Sequence, residues 1–224
     1  MKIYVVGSSK NEFLPLDSIR EKYYTDVIHE NDNIDKDNSL YCELTGLYHL
    51  WKNCNEDIVG LEHYRRYFLN NNFELLNENE IKKLLETNDI ICIQEKENYS
   101  IPLYARFIRG FEHGSLKNEL NYMLYAIKYL YPEHFELIQQ FLYNRTHYQF
   151  NMFICKKEII DKYCEWMFPI LQLIQNNVGD KLTKRSLGFL AEIVLFSYYF
   201  TKVNPVKIYT SNYRIQNFKK IEYK

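Results

Sequence analysis

The chain has 224 residues and a formal net charge of −1, with 46% hydrophobic and 25% charged residues. That length suits one large domain or two small ones with a sizeable core, and the balance of charge gives no global pull toward nucleic acid. Its five cysteines are scattered, with no Cys-x-x-Cys and no histidine at zinc spacing, which argues against a disulfide scaffold or a zinc site and for reduced, buried thiols in a cytosolic protein.

Lys2-Ile3-Tyr4-Val5-Val6 reads as a short buried strand with no leader-like segment ahead of it, and Gly7-Ser8-Ser9 breaks it. Gly-Ser-Ser is neither a dinucleotide fingerprint nor a P-loop. Residues 31–39 form a polar loop in which Asp35-Lys36-Asp37 has the Asp-x-Asp spacing of a divalent-metal site. Because this precedes a helix rather than ending a strand, turn and cap chemistry is the plainer reading. A helix follows from Tyr41 to Asn53, apolar at Tyr41, Leu44, Leu47, Tyr48 and Trp51. Glu43 lies off that stripe, either complementing the helix dipole or facing a site.

Ile58-Val59-Gly60-Leu61 is a second buried strand, and His63-Tyr64-Arg65-Arg66-Tyr67-Phe68 comes at its end. Ligands of open α/β sheets bind beyond the carboxyl ends of strands. Two adjacent guanidiniums there suit a phosphate or a carboxylate, against the alternative of surface ion pairs. A helix near 78–86 and a strand at 89–93 come next. Residues 95–110 read as a binding loop, with Arg106, Arg109 and His113 in or beside it.

Two helices are expected over 116–131 and 132–143, then a strand over 148–155 with Asn151 in its middle, where a buried amide needs a partner. Residues 156–175 read as a long core helix that Pro169 should kink or divide. The last large helix, from Arg185 to about Phe200, carries Glu192 in an otherwise apolar run, a carboxylate that needs either a pairing partner or a task. Residues 206–209 form a final strand, and 198–224 hold six Lys or Arg against one Glu, able to meet anionic lipid or simply solvated. No apolar run reaches the roughly 20 residues that cross a bilayer. Strands alternating with helices, without a linker, predict one α/β domain over residues 1–224, with a mostly parallel central sheet flanked by helices.

Three stretches together resemble a family: Asp32-Asn33-Ile34 with Tyr41-Cys42-Glu43-Leu44-Thr45-Gly46-Leu47-Tyr48; Val59-Gly60-Leu61-Glu62-His63-Tyr64-Arg65-Arg66-Tyr67-Phe68; and Asn151-Met152-Phe153 with Tyr163-Cys164-Glu165-Trp166 and Gly188-Phe189-Leu190-Ala191-Glu192. In that order they resemble the DUF4422 family of bacterial capsular and exopolysaccharide biosynthesis proteins. The resemblance implies a GT-A-like (Rossmann-like) glycosyltransferase at the cytoplasmic side of the membrane. It implies a UDP-hexose donor and a glycan or lipid-linked glycan acceptor. Residues 1–95 would form the donor side, and residues 96–224 the acceptor side with the C-terminal helices. The chain departs from the family at Gln94-Glu95-Lys96, where members carry a Pro-Lys-Lys-type segment.

Mapped onto this sequence, Arg65 and Arg66 would hold the diphosphate with His63 and Tyr64 beside it. Asp32, Asn33, Asn38 and Glu43 would line the donor side, and Asn151 with Met152 the acceptor side. Glu192 would be the base, with His63 also catalytic. A divalent ion, Mn²⁺ or Mg²⁺, would fall to Asp35 and Asp37, or to Glu62 and His63. Metal-free catalysis is the other option, since His63-Tyr64-Arg65 replaces a strand-end Asp-x-Asp. The competing readings are a non-catalytic nucleotide-sugar or glycan-binding protein and a nucleotide-sugar hydrolase.

Overall fold

A computed structural model describes residues 1–94, 100–111 and 114–215. Eight strands form one sheet: β1 (Lys2–Gly7), β2 (Arg20–Tyr24), β3 (Ile58–His63), β4 (Arg66–Leu69), β5 (Ile90–Gln94), β6 (Tyr148–Lys156), β7 (Ile208–Thr210) and β8 (Asn212–Ile215). The spatial order is β2-β1-β3-β6-β5-β7, with β4 pairing β3 and β8. The sheet is mixed, not mostly parallel. β1–β2, β1–β3 and β5–β7 are parallel, whereas β6 runs antiparallel to both β3 and β5, and β4 is antiparallel to β3 and β8. A strand buried on both faces is a continuous apolar run in either direction, so the composition of β6 carries no record of which way it runs.

The period-2 alternation of the strands sorts the core into two layers. Tyr4, Val6, Val59, Leu61, Cys92, Phe153 and Cys155 face the larger one, where they meet the helices Leu44–Asn53, Lys117–Leu130, Lys157–Val178 and Ser186–Val203. Ile3, Ile91, Ile93, Met152 and Ile154 face the smaller one, closed by Phe68, Leu76 and Ile81. Lys157–Val178 runs through Pro169 as one helix. Proline frees only the carbonyl four residues earlier, that of Glu165, an exposed residue. Ser186–Val203 is long and apolar enough to cross a membrane by length and composition, but 72% of it is buried inside the fold. It is a core helix, widened to π geometry at Ala191–Leu195 and again at Tyr199–Val203.

The helix expected over Tyr41 to Asn53 is broken. Cys42 adopts φ 52°, which separates Asn38–Tyr41 from Leu44–Asn53 and places Glu43 at the start of the second segment. His113, Glu95-Lys96 and the end of the basic tail lie outside the described residues.

One buried ion pair ties the turn after β3 to the rest. Arg20 donates to Glu62 through Nε at 2.7 Å and Nη2 at 3.1 Å, and also to Asp17 and to the Leu76 carbonyl. Glu62 in turn accepts the backbone N–H of Phe68 at 3.0 Å. Its carboxylate is therefore spoken for on the face of the sheet opposite His63. Arg20→Met leaves that charge buried without its cation and is expected to cost about 3–5 kcal/mol. The double variant Arg20→Met/Glu62→Leu should lose less than the sum of the single ones. Urea denaturation of the three proteins measures both quantities, and an Arg20→Met loss below about 1 kcal/mol would show that water reaches the site.

Candidate functional site

A cleft of about 570 Å³ opens where β1, β3 and β6 meet the segment 38–43 and the start of the last helix. Gly7, Ser8, Asn11, Thr25 and Tyr64 line one end; Asn38, Ser39, Cys42, Glu43, His63, Arg65, Arg66, Phe150, Lys184, Arg185, Phe189 and Glu192 line the remainder. Gly7 is required by contact: a Cβ there would lie 2.8 Å from Tyr64 Cβ and 2.9 Å from Phe13 Cζ. The loop after β1 is held by Asp26, which accepts from both hydroxyls and the Ser9 N–H of Ser8-Ser9.

The centre of the cleft is set by a kink in β6. Phe150 and Asn151 both have left-handed φ, 69° and 51°, a state uncommon for phenylalanine and more readily adopted by asparagine. At Phe150 the peptide groups turn into the cleft. Its N–H donates to Glu192 Oε1 at 3.2 Å, and its carbonyl accepts from His63 Nε2 at 2.7 Å. A carbonyl only accepts, so the His63 proton sits on Nε2 and Nδ1 is left as the acceptor, 3.5 Å from Arg66 Nη1. Burial and the charges of Arg66, Arg65 and Arg185 push His63 down to about 3. Burial thus favours the neutral ring, which stands between the Phe150 carbonyl and Arg66.

Asn151 is buried, and its Nδ2 donates to Glu43 Oε1 at 2.7 Å. Burial raises Glu43 above the ordinary carboxyl value, opposed by Asn151, Arg185 and Arg66. Burial and the neighbouring Glu43 push Glu192 up to about 7. Two carboxylates in one low-dielectric cleft resist simultaneous ionisation, and a carboxyl near 7 is matched to general-base work at neutral pH. Arg66 lies 4.1 Å over the Phe150 ring. Arg65 is exposed beside Tyr64, its guanidinium 5.6 Å from that ring.

Not every residue singled out from the sequence reaches the cleft. His63, Tyr64, Arg65, Arg66, Asn38, Glu43 and Glu192 line it. Asn151 stands behind Glu43, and Met152 points into the smaller core on the other side of the sheet. Asp32 and Asn33 lie elsewhere: Asp32 accepts from Tyr48 and Asn53, and Asn33 closes the 29–35 turn. Asp35 is buried and accepts from Tyr23 Oη at 2.5 Å and from the backbone and ring of His29, both at 2.8 Å. Among the described residues no three His, Cys, Asp or Glu side chains converge on a metal position. Asp35 is taken up by Tyr23 and His29, and Glu62 by Arg20 and the Phe68 N–H, so neither carboxylate is presented to a divalent ion.

Arg185, Lys184, Phe150 and Phe189 were passed over in the sequence. Arg185, Phe189 and Glu192 are spaced by four and three residues, which puts them on one face of a helix; that spacing is the available signal.

The domain-of-unknown-function family DUF4422 has a model that matches residues 2–204. The fold is also similar to the apo structure of WbbM, a bifunctional glycosyltransferase. The TM-score is 0.80 at 25% sequence identity, over 96% of this chain and 45% of that one. This chain thus spans less than half the length of WbbM. No curated protein matches the sequence.

The raised Glu192 carboxyl has a consequence for stability. The folded state holds this proton more tightly than the unfolded chain, so the contribution is unfavourable once the group ionises. Stability should fall as pH rises from the ordinary carboxyl value of 4.5 through about 7. Glu192→Gln removes the charge. The variant is expected to exceed the parent in stability at pH 8 by about 1–3 kcal/mol, with the difference vanishing near pH 4. Urea denaturation at the two pH values measures it, and a variant less stable at pH 8 would mean that Glu192 is paired rather than strained.

Proposed function

The chain belongs to the DUF4422 family, and we propose that it transfers a hexose from a nucleoside diphosphate donor, UDP-hexose, to a hydroxyl of a capsular, exopolysaccharide or lipopolysaccharide intermediate at the cytoplasmic face of the membrane. The observation that carries this reading is the pairing, in one cleft at the end of β3, of a carboxyl tuned to about 7 with the guanidiniums of Arg65 and Arg66. The GT-A-like fold shared with a bifunctional glycosyltransferase supports it.

In this reaction the acceptor oxygen attacks the anomeric carbon, and its proton passes to Glu192. The bond from that carbon to the diphosphate oxygen breaks, and the nucleoside diphosphate leaves. The base is effective because burial keeps its affinity for the proton high, while the Phe150 N–H aims its oxygen. Charge builds on the leaving diphosphate, and fixed cations in a partly dehydrated cleft stabilise it without reorganising. Arg65 and Arg66 take that role. His63 braces Arg66 and the Phe150 carbonyl, and Glu43, held by Asn151, faces the donor sugar. The end lined by Gly7, Ser8, Asn11, Thr25 and Tyr64 receives the nucleoside, in keeping with ligand binding beyond strand ends.

Glu192→Gln is expected to lower turnover about 10²–10⁴-fold with donor affinity retained. Turnover of the parent should rise with pH to a plateau above about 7, the value to which Glu192 is pushed. Glu43→Gln, by removing the repulsion, should move that rise to lower pH. Arg65→Ala and Arg66→Ala should each weaken donor binding about 10- to 100-fold. A thermal-shift panel of UDP, GDP, CDP and dTDP sugars with Mn²⁺, Mg²⁺ or EDTA tests the donor and the charge partner together. Stabilisation by one nucleotide that survives EDTA is the expected result. Stabilisation that requires the metal would overturn the arginine assignment. Donor breakdown at an equal rate with and without acceptor would favour a hydrolase.

A further inference from the structure

We propose that the diphosphate is gripped from two walls, with Arg185 and Lys184 forming a second, opposing arm to Arg65 and Arg66. The inference rests on the donor reading above and deepens it. Lys184 and Arg185 belong to the connection into the last helix, and Arg65 and Arg66 to the turn between β3 and β4. All four line the same cleft.

The second arm is held in place by its backbone. Arg185 adopts a left-handed φ of 65°, and its N–H donates to the Ser39 carbonyl at 2.8 Å. One turn on, a Cβ on Gly188 would meet the Tyr41 carbonyl at 3.2 Å, so the helix is seated against the 38–43 segment as closely as glycine permits. The guanidinium stands 5.1 Å from the centroid of the Phe189 ring. Its field lowers the His63 ring and the Glu43 carboxyl, and so does that of Arg66. Both guanidiniums line one cleft from different elements.

Four cations face two carboxyls, and the two carboxyls resist ionising together. Non-glycine residues are rarely held left-handed, and such strain gathers at ligand clamps. Cations gathered in excess of fixed anions focus a field suited to a mobile anion of about two charges. A diphosphate has that charge and enough length to be met from both sides, and guanidiniums bind phosphate oxygens in pairs.

The test uses calorimetric titration of the full chain with inorganic pyrophosphate, UDP, UMP, uridine and a short prenyl diphosphate. Arg185→Asn suits the left-handed backbone, and Lys184→Gln changes an exposed side chain. Each variant is expected to weaken UDP and pyrophosphate at least 10-fold, UMP less, and uridine not at all, with the unliganded melting temperature kept. UDP affinity within twofold of the parent in both variants would overturn the second arm. An equal loss for uridine would too, because Arg185 would then be shaping the pocket only. If the parent binds pyrophosphate but no nucleoside diphosphate, the clamp stands and the donor reading falls. If it prefers the prenyl diphosphate to UDP, the clamp serves a lipid-linked ligand.

Discussion

Bringing Glu43 and Glu192 together away from water is unfavourable unless donors and cations stand close by. Each feature around the cleft answers that requirement. Asn151 donates to one carboxyl and the Phe150 N–H to the other. Arg66 and Arg185 supply the nearby positive charge. The compensation is partial, because Glu192 remains at about 7. A carboxyl so placed changes its protonation close to neutral pH.

The backbone bears the cost of the arrangement. Among the described residues five non-glycine positions have left-handed φ, and four of them, Cys42, Phe150, Asn151 and Arg185, sit at or beside the cleft. Cys42 breaks a helix so that Glu43 begins a new one, and Phe150 with Asn151 bends β6 so that a peptide group meets two side chains. β6 lies between β3 and β5 with its neighbours antiparallel to it. The kink is therefore anchored on both edges by ordinary ladders at Phe153, and the strain stays local.

Much of this could be read in the sequence where local chemistry determines it. The apolar periods of Ile58–His63 and Lys157–Val178 match observed elements, and the polar cluster after β3 does lie at a strand end facing a cleft. Direction and face were less legible. Nothing in the composition of β6 states that it runs antiparallel. Met152 and Asn151 are neighbours in sequence yet face opposite layers, so grouping them as one surface ignored the pleat. Asp35-Lys36-Asp37 has the spacing of a metal motif, but Asp35 is occupied by Tyr23 from β2 and by His29 from the start of its own turn. Arg185 carried no local signal beyond its phase relative to Glu192, because what matters about it is a left-handed backbone bonded to Ser39, a residue distant in sequence.

The last helix holds one more consequence. A π turn is the trace of one additional residue lodged in an α-helix, and here such a turn contains Glu192. Each extra residue shifts the phase of everything beyond it by about 100°. The half of the helix bearing Phe189 and the half bearing Tyr198, Tyr199 and Phe200 thus stand at a rotational offset that an unbroken α-helix would not give, one turned to the cleft and the other to the aromatic core around Tyr163 and Trp166. One continuous helix can in this way hold a carboxyl in the cleft and an aromatic face against the core, two directions that a regular α-helix of the same sequence would not bring out together.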